Sequence, residues 1–351
     1  MDDSWSELSE MRFSPGGRIL IVAGKRGGKP EGSSEGCIFC PEKQHLLEKP
    51  EVGEAAKDFI RAAEQRGFYV VKNKYPVVSS RESGSGESTL GVYYTRKTAR
   101  GAHWVIIEPE HGVNPFSDDS ASYYRNLAFS YREVLRALKA EDYMWAGIGK
   151  NRNGVNGAKA GSSQPHHHSQ AIATDFLPRW IKDYDRMGNF ELIKDGSGHD
   201  MLHGCHHCME ARNNRWAETR LFYDEKHLSF VSPAPDESQA YSKEIQILPY
   251  NHQGFFDRLS DGEVESFGRI LHNTMVMIGS TYPLCGYNFE LRNGPWASEH
   301  GERPYHWQFY IYPASPELGN ARPYGIVPHL LGASVVTESP EKFAARLKGK
   351  K

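Results

Sequence analysis

The stretch Ser162-Ser163-Gln164-Pro165-His166-His167-His168-Ser169-Gln170, running on into Ala171-Ile172-Ala173, decides how the rest of the chain is read. Its apolar tail predicts entry into a strand, and residues i and i+2 of a strand point to one face. His166, His168 and Gln170 then share a face, and His167 points away from it. That places a metal ligand, a nucleophile and a neutral hydrogen-bonding amide side by side.

The cysteines supply the frame around this run. Four of the five form Cys-x-x-Cys pairs, Cys37/Cys40 and Cys205/Cys208; Cys285 stands alone in an apolar context and reads as an inert core thiol. Zinc takes four tetrahedral nitrogen and sulfur ligands, and structural sites are closed by four protein side chains. The first pair is completed by His111 and His166, the second by His252 and His306. In the second set His203, His206 and His207 crowd the cysteines and stand as alternative ligands. His111 and His166 are 55 positions apart, His252 and His306 are 54 apart. Such intervals exclude a small DNA-reading finger, which places about 12 residues between its ligand pairs.

The matched intervals imply two copies of one α+β unit. Helical patterns fill both: residues 119–140, opened by Ser117-Asp118-Asp119, and 260–278, opened by Ser260-Asp261. Strand-like runs are expected at Ile19–Val22, Tyr69–Val71, Trp104–Ile107, Leu228–Val231, Ile245–Leu248, 286–292 and 306–312. Gly- and Ser-rich stretches at 23–36, 80–87 and 149–163 read as loops.

Composition bounds the function. The chain has 351 residues, 38% hydrophobic and 25% charged, which is ordinary for a globular protein. A net charge of −2 argues against a nucleic-acid partner. No apolar run approaches the roughly 20 residues that span a bilayer, so no membrane partner is expected. The acidic start MDDSWSELSE lacks the apolar core of a signal peptide, which makes the cytoplasm the expected location.

With these motifs in place, the sequence resembles the galactose-1-phosphate uridylyltransferase family of the histidine-triad superfamily, which includes ADP-glucose phosphorylases. The family's active-site pattern is His-x-His-x-Gln behind Ser-x-Pro or a close variant, and SSQPHHHSQ at 162–170 is similar to it. The resemblance implies that His166 binds zinc, that His168 is the covalent nucleophile, and that Gln170 and Ser163 assist. GKRGGKP at 24–30 resembles a phosphate-binding turn, with Arg26 and Lys29 at the nucleotide phosphates. VVKNKYP at 70–76 resembles the strand whose asparagine meets the ribose, here Asn73. Lys150-Asn151 resembles the asparagine lead-in to the histidines, and either Asn151 or Asn153 fits that place. The similarity covers roughly residues 15–345.

What the resemblance implies for the fold is α+β: two histidine-triad-like half-domains, each an antiparallel sheet with helices packed on it. Residues 1–14 form a tail, 15–185 the catalytic half, 186–345 a second half without a nucleophile, and 346–351 a basic tail. In Tyr305-His306-Trp307-Gln308 of the second half, Gln308 stands where a nucleophile would be. The resemblance further implies about two structural zinc ions per chain and a homodimer.

The expected reaction moves a nucleoside monophosphate group from a nucleotide-sugar to a sugar 1-phosphate through a nucleotidyl-histidine. Inorganic phosphate as acceptor would make the protein a nucleotide-sugar phosphorylase, and a non-catalytic zinc-stabilised binding protein is the third reading. Around Gly332 the aromatic-acidic pair of the galactose enzymes has no counterpart, which leaves the sugar open; the base is open as well, since no motif in the sequence reads a base edge.

Overall fold

Segments from both halves of the chain supply the strands of the main sheet. The computed structural model describes residues 10–13, 19–22, 37–81, 87–90, 94–109, 114–155, 160–162, 164–178, 181, 191–196, 198–212, 218–232, 243–297, 305–316, 318 and 345–349. The strands in chain order are β1 (Glu10–Phe13), β2 (Ile19–Val22), β3 (Tyr69–Lys72), β4 (Glu87–Leu90), β5 (Tyr94–Thr98), β6 (Gly101–Ile107), β7 (Trp145–Arg152) and β8 (His168–Thr174). They continue with β9 (Glu191–Lys194), β10 (Asp200–His203), β11 (Arg220–Tyr223), β12 (His227–Val231), β13 (Ile245–Pro249), β14 (Gly286–Arg292) and β15 (Gln308–Ala314). Nine of them form one sheet in the order β11-β12-β13-β15-β14-β7-β8-β6-β3, antiparallel throughout. The halves are joined where β7 pairs with β14, with Gly149 opposite Glu290 and Asn151 opposite Asn288.

The helices are α1 (Glu54–Glu64), α2 (Ala121–Ala140), α3 (His206–Arg212) and α4 (Asp261–Thr281). One face of the sheet is apolar. Ile148, Ala171, Ala173, Phe289, Leu291, Phe309 and Ile311 from it join Leu127, Val134 and Leu138 of α2 and Phe267, Leu271 and Met275 of α4 in a single core. The long helices start where capping chemistry is written into the sequence. Ser117 accepts a hydrogen bond from Asp119 N ahead of α2. Ser260 and Glu263 close a capping box at α4, satisfying backbone donors that the helix cannot.

Both expected long helices are present, and α4 runs three residues beyond 278. Three local expectations are corrected. Residues 149–152 are not loop: they complete β7, because β8 on one side and β14 on the other pair their backbone groups in spite of the glycines. The last strand begins at Gln308 rather than 306. Glu87, placed in the 80–87 loop, opens β4. Helix α1 was not anticipated, although Ala56, Ile60 and Ala63 repeat on one buried face. The 23–36 loop lies outside the described residues, and no helix among those described is long and apolar enough to cross a membrane.

Candidate active site

The two faces of β8 separate structure from chemistry. Ser169, Ala171 and Ala173 turn toward the helices, where Ser169 Oγ lies 2.7 Å from Tyr131 OH. His168, Gln170 and Ile172 take the opposite face. His166 lies in the bend ahead of the strand, one turn of backbone away from His168. The Nδ1–H of His168 donates to the His166 carbonyl at 2.9 Å, which fixes the tautomer and leaves Nε2 as the unprotonated nitrogen. Phe39 packs edge-on against this ring at 5.3 Å between centroids.

His166 is held from both sides. Its Nε2–H donates to the Glu108 carbonyl at 2.8 Å, and its Nδ1 lies 3.8 Å from Cys37 Sγ. The ligand atoms of Cys37, Cys40 and His166 lie within 4.8 Å of one another. Phe39 N–H donates to Cys37 Sγ at 3.4 Å, as in turns that hold a metal-bound thiolate. This set therefore fits a zinc ion, with the carbonyl on the far nitrogen orienting the imidazole. His111, its expected fourth ligand, lies outside the described residues.

The second set is built alike. Cys205, Cys208 and His252 converge within 4.8 Å. The His306 ring stands 5.3 Å from that of His252, and its buried Nε2 has no hydrogen-bond partner among the described residues. An orphaned buried nitrogen beside two thiols is what a missing ligand bond leaves behind. Hydrogen bonding from Cys205, then from His252, holds the Cys208 thiol well below the usual range. His207 is instead engaged with Glu210 at 3.0 Å. Cys285 is fully buried, and burial pushes its thiol up to about 12, as suits an inert core residue.

Behind the histidines lies a charged group that the sequence did not disclose. Lys150 and Glu108 meet at 2.7 Å with side chains 0% and 1% exposed. Tyr123 OH donates to Glu108 at 2.5 Å and Ser169 Oγ at 3.2 Å. Burial works to raise the Glu108 carboxyl, but Lys150, His167 and Tyr123 together outweigh that and hold it below the ordinary value. The Glu108 backbone N–H donates to the His167 carbonyl at 3.1 Å, so one residue grips both His166 and His167. His167 does point away from His168, as expected, but into a buried place where Arg152 Nε donates to its Nε2 at 2.8 Å.

His103, two residues before Val105 on β6, is the other residue that sequence reasoning missed. Val77 N–H donates to its Nδ1 at 3.1 Å, so the ring proton sits on Nε2. That N–H donates to Gln170 Oε1 at 3.0 Å, which turns the Gln170 amide nitrogen outward. Asn73 Nδ2 lies 2.9 Å from the same Nε2. With the tautomer so fixed this is a contact of two donors, and Asn73 is positioned by Tyr75 N–H donating to its Oδ1 at 2.9 Å. The available signal was one polar residue in an otherwise apolar strand, in phase with Val105 and Ile107.

The two asparagines after Lys150 have different work. Asn153 accepts from Ala160 N and Ser162 N and donates to Ser162 O, pinning the loop ahead of the histidines. Asn151 pairs through Oδ1 with Asn288 on the open face of the sheet. Arg26, Lys29 and Ser163 lie outside the described residues.

No family model matches the chain. It is 25% identical over 297 residues to an ADP-glucose phosphorylase of Arabidopsis thaliana, covering 83% of this chain and 76% of that protein. It is 25% identical over 317 residues to a galactose-1-phosphate uridylyltransferase of Haemophilus influenzae, covering 89% and 82%. A solved uridylyltransferase superposes with a TM-score of 0.71 at 22% identity, covering 97% of this chain and 98% of that one.

Proposed function

Because the chain belongs to the galactose-1-phosphate uridylyltransferase family, ADP-glucose phosphorylase relatives included, we propose that it transfers a nucleoside monophosphate group from a nucleotide-sugar to a sugar 1-phosphate, by way of a nucleotidyl group on His168. One observation carries this reading: the His168 ring, tied by Nδ1–H to the His166 carbonyl, has its other nitrogen free of a proton and beside Gln170.

Nε2 of His168 attacks the α-phosphorus. The bond from that phosphorus to the bridging oxygen breaks, and sugar 1-phosphate departs. The Gln170 amide N–H, turned outward by His103, donates to a non-bridging oxygen as charge develops there. An oxygen of the acceptor phosphate then attacks the same phosphorus and the P–N bond breaks, restoring neutral His168. Arg26 and Lys29 neutralise phosphate charge, Ser163 and Asn151 line the phosphate path, and Asn73 meets the ribose. Zinc held by Cys37, Cys40, His111 and His166, and by Cys205, Cys208, His252 and His306, supplies structure. For the first set that means a fixed turn ahead of the nucleophile. We read the working unit as a cytoplasmic homodimer, and a purely monomeric light-scattering mass at micromolar concentration would count against that assembly.

The test loads the protein with radiolabelled UDP-, ADP- or GDP-glucose, removes free nucleotide, and adds either a sugar 1-phosphate or phosphate. Release of labelled nucleotide-sugar by the sugar 1-phosphate supports the transferase. Release of nucleoside diphosphate by phosphate alone makes the protein a phosphorylase, and failure to load with any donor overturns the reading.

A further inference from the structure

Glu108 is bonded to three residues around His168. Its carbonyl accepts from His166 Nε2–H at 2.8 Å, its N–H donates to the His167 carbonyl at 3.1 Å, and its carboxylate accepts from Ser169 Oγ at 3.2 Å. Ile107, beside it, is the register partner of His168 across β6 and β8. The carbonyl that accepts from His168 Nδ1–H belongs to the peptide joining His166 to His167, so Glu108 holds that peptide from both ends. The carboxylate is itself fixed. Lys150 Nζ donates to it and to Tyr123 OH, each at 2.7 Å, and Tyr123 OH donates to it at 2.5 Å, which closes a ring of three side chains.

This arrangement is not what packing alone would select. A buried ion pair is often less stable than apolar side chains of similar volume, because desolvation of two charges offsets their attraction. The second half of the chain shows an apolar alternative. Trp307 and Phe309 follow His306 at the spacings at which His167 and Ser169 follow His166. Both pack on Phe267 of α4, with ring centroids 5.7 and 5.1 Å away, and Phe256 stands 5.0 Å from Trp307. Aromatic packing is thus enough to support the segment that carries Gln308. Behind the segment that carries His168 stand instead a carboxylate and an ammonium with side chains 1% and 0% exposed. Hydrogen bonds weaken steeply when bent, so they fix orientation in a way that apolar contacts do not.

We infer that Glu108 is a positioning residue for His168, with Lys150 fixing its carboxylate: together they hold residues 166–169 so that the His168 ring keeps a single direction of attack. This rests on the transferase reading above, since it concerns the nucleophile of that reaction.

The experiment measures single-turnover labelling of His168 across a range of nucleotide-sugar concentrations in wild type, Glu108→Gln, Lys150→Met and the double variant, together with melting temperature and zinc content. In parallel, NMR of protein carrying 15N-histidine reads the His168 Nδ1–H, identified by its loss in His168→Gly. Each single variant leaves one buried charge unpaired and should melt at a lower temperature. The double variant leaves none, and should regain the wild-type melting temperature and zinc content. Its maximal labelling rate should nevertheless stay at least about 10-fold below wild type, because small misplacements of a reacting group are expensive in rate. The half-saturating donor concentration should stay within about twofold of wild type, and the Nδ1–H signal should be lost as the ring turns. A double variant that labels at the wild-type rate or keeps the signal would overturn the proposal. So would a slow double variant with less zinc, a lower melting temperature or a raised half-saturating concentration, which would make the pair a structural support or a contributor to donor binding. A wild type that takes no label would sink the transferase reading alone; the Nδ1–H signal, lost or kept in the double variant, would then support or overturn the positioning by itself.

Discussion

Gln308 and His168 make the same backbone bond in the two halves: His168 Nδ1–H donates to the carbonyl of His166 at 2.9 Å, and Gln308 Nε2–H donates to the carbonyl of His306 at 3.2 Å. The Gln308 amide thus makes the bond that the His168 ring makes, with Tyr310 OH donating to its Oε1. An amide has no nucleophilic lone pair to replace an imidazole nitrogen. Intact-mass measurement after donor treatment should therefore find at most one nucleotidyl group per chain, and two per chain would refute the asymmetry.

His103 sets which end of the Gln170 amide points outward. His103→Ala should slow formation of the adduct about as much as Gln170→Ala, roughly 100-fold, since both remove one oriented donor. The double variant should be little slower than either single one, because residues of one hydrogen-bonded unit do not act additively. Rapid-quench measurement of labelling in the four proteins decides it; effects that multiply would show that His103 acts elsewhere.

The two cysteine pairs should each bring a metal. Protein purified without chelator should contain about two equivalents of zinc per chain, and less than one equivalent of any transition metal would contradict the assignment. Cys208→Ser should lose one equivalent and lower the melting temperature, since a closed structural site contributes folding free energy.

His227 is buried in the neutral form. Its Nδ1 lies 2.9 Å from Ser266 Oγ, which donates to Asp224, and burial depresses its pKa from 6.5 to about 4. The unfolded chain binds this proton below pH 6.5 and the folded one only below about 4, so stability falls as pH drops through that window. Urea unfolding at pH 7 and pH 5 should show a loss from this group of about 2 kcal/mol. His227→Gln should show a correspondingly smaller loss than wild type; equal losses would assign the acid sensitivity to other groups.

Local patterns carried much of this molecule in the sequence, and long-range pairing carried the rest. Residues 119–140 and 260–278 were legible as helices because capping serines and apolar spacing are local signals. Cys37, Cys40 and His166, and likewise Cys205, Cys208 and His252, were legible as sets because ligand types are few, and the structure brings each trio together. Gly149–Arg152 was misread as loop because it opens a glycine-rich stretch, whereas β8 and β14 impose an extended backbone on it. The Glu108–Lys150 pair was invisible, since nothing local to either residue announces a partner 42 positions away. His103 was hidden for the same reason: it acquires its role from the strand beside it.

The central claim is that His168 carries the nucleotidyl group, and peptide mapping of the covalent adduct tests it most directly. Protein incubated with a radiolabelled nucleotide-sugar should hold an acid-labile, base-stable label, as a phosphoramidate does, on the peptide containing residues 162–174, with His168 as the modified residue. His168→Gly should hold none while keeping its zinc and its fold, and added imidazole should restore part of the turnover as a soluble nucleophile. His167→Ala should still label, at reduced stability, because it removes a buried ring bonded to Arg152 and not the attacking group. A label mapped to His167 or to any other residue, or full turnover by His168→Gly without imidazole, would contradict the account.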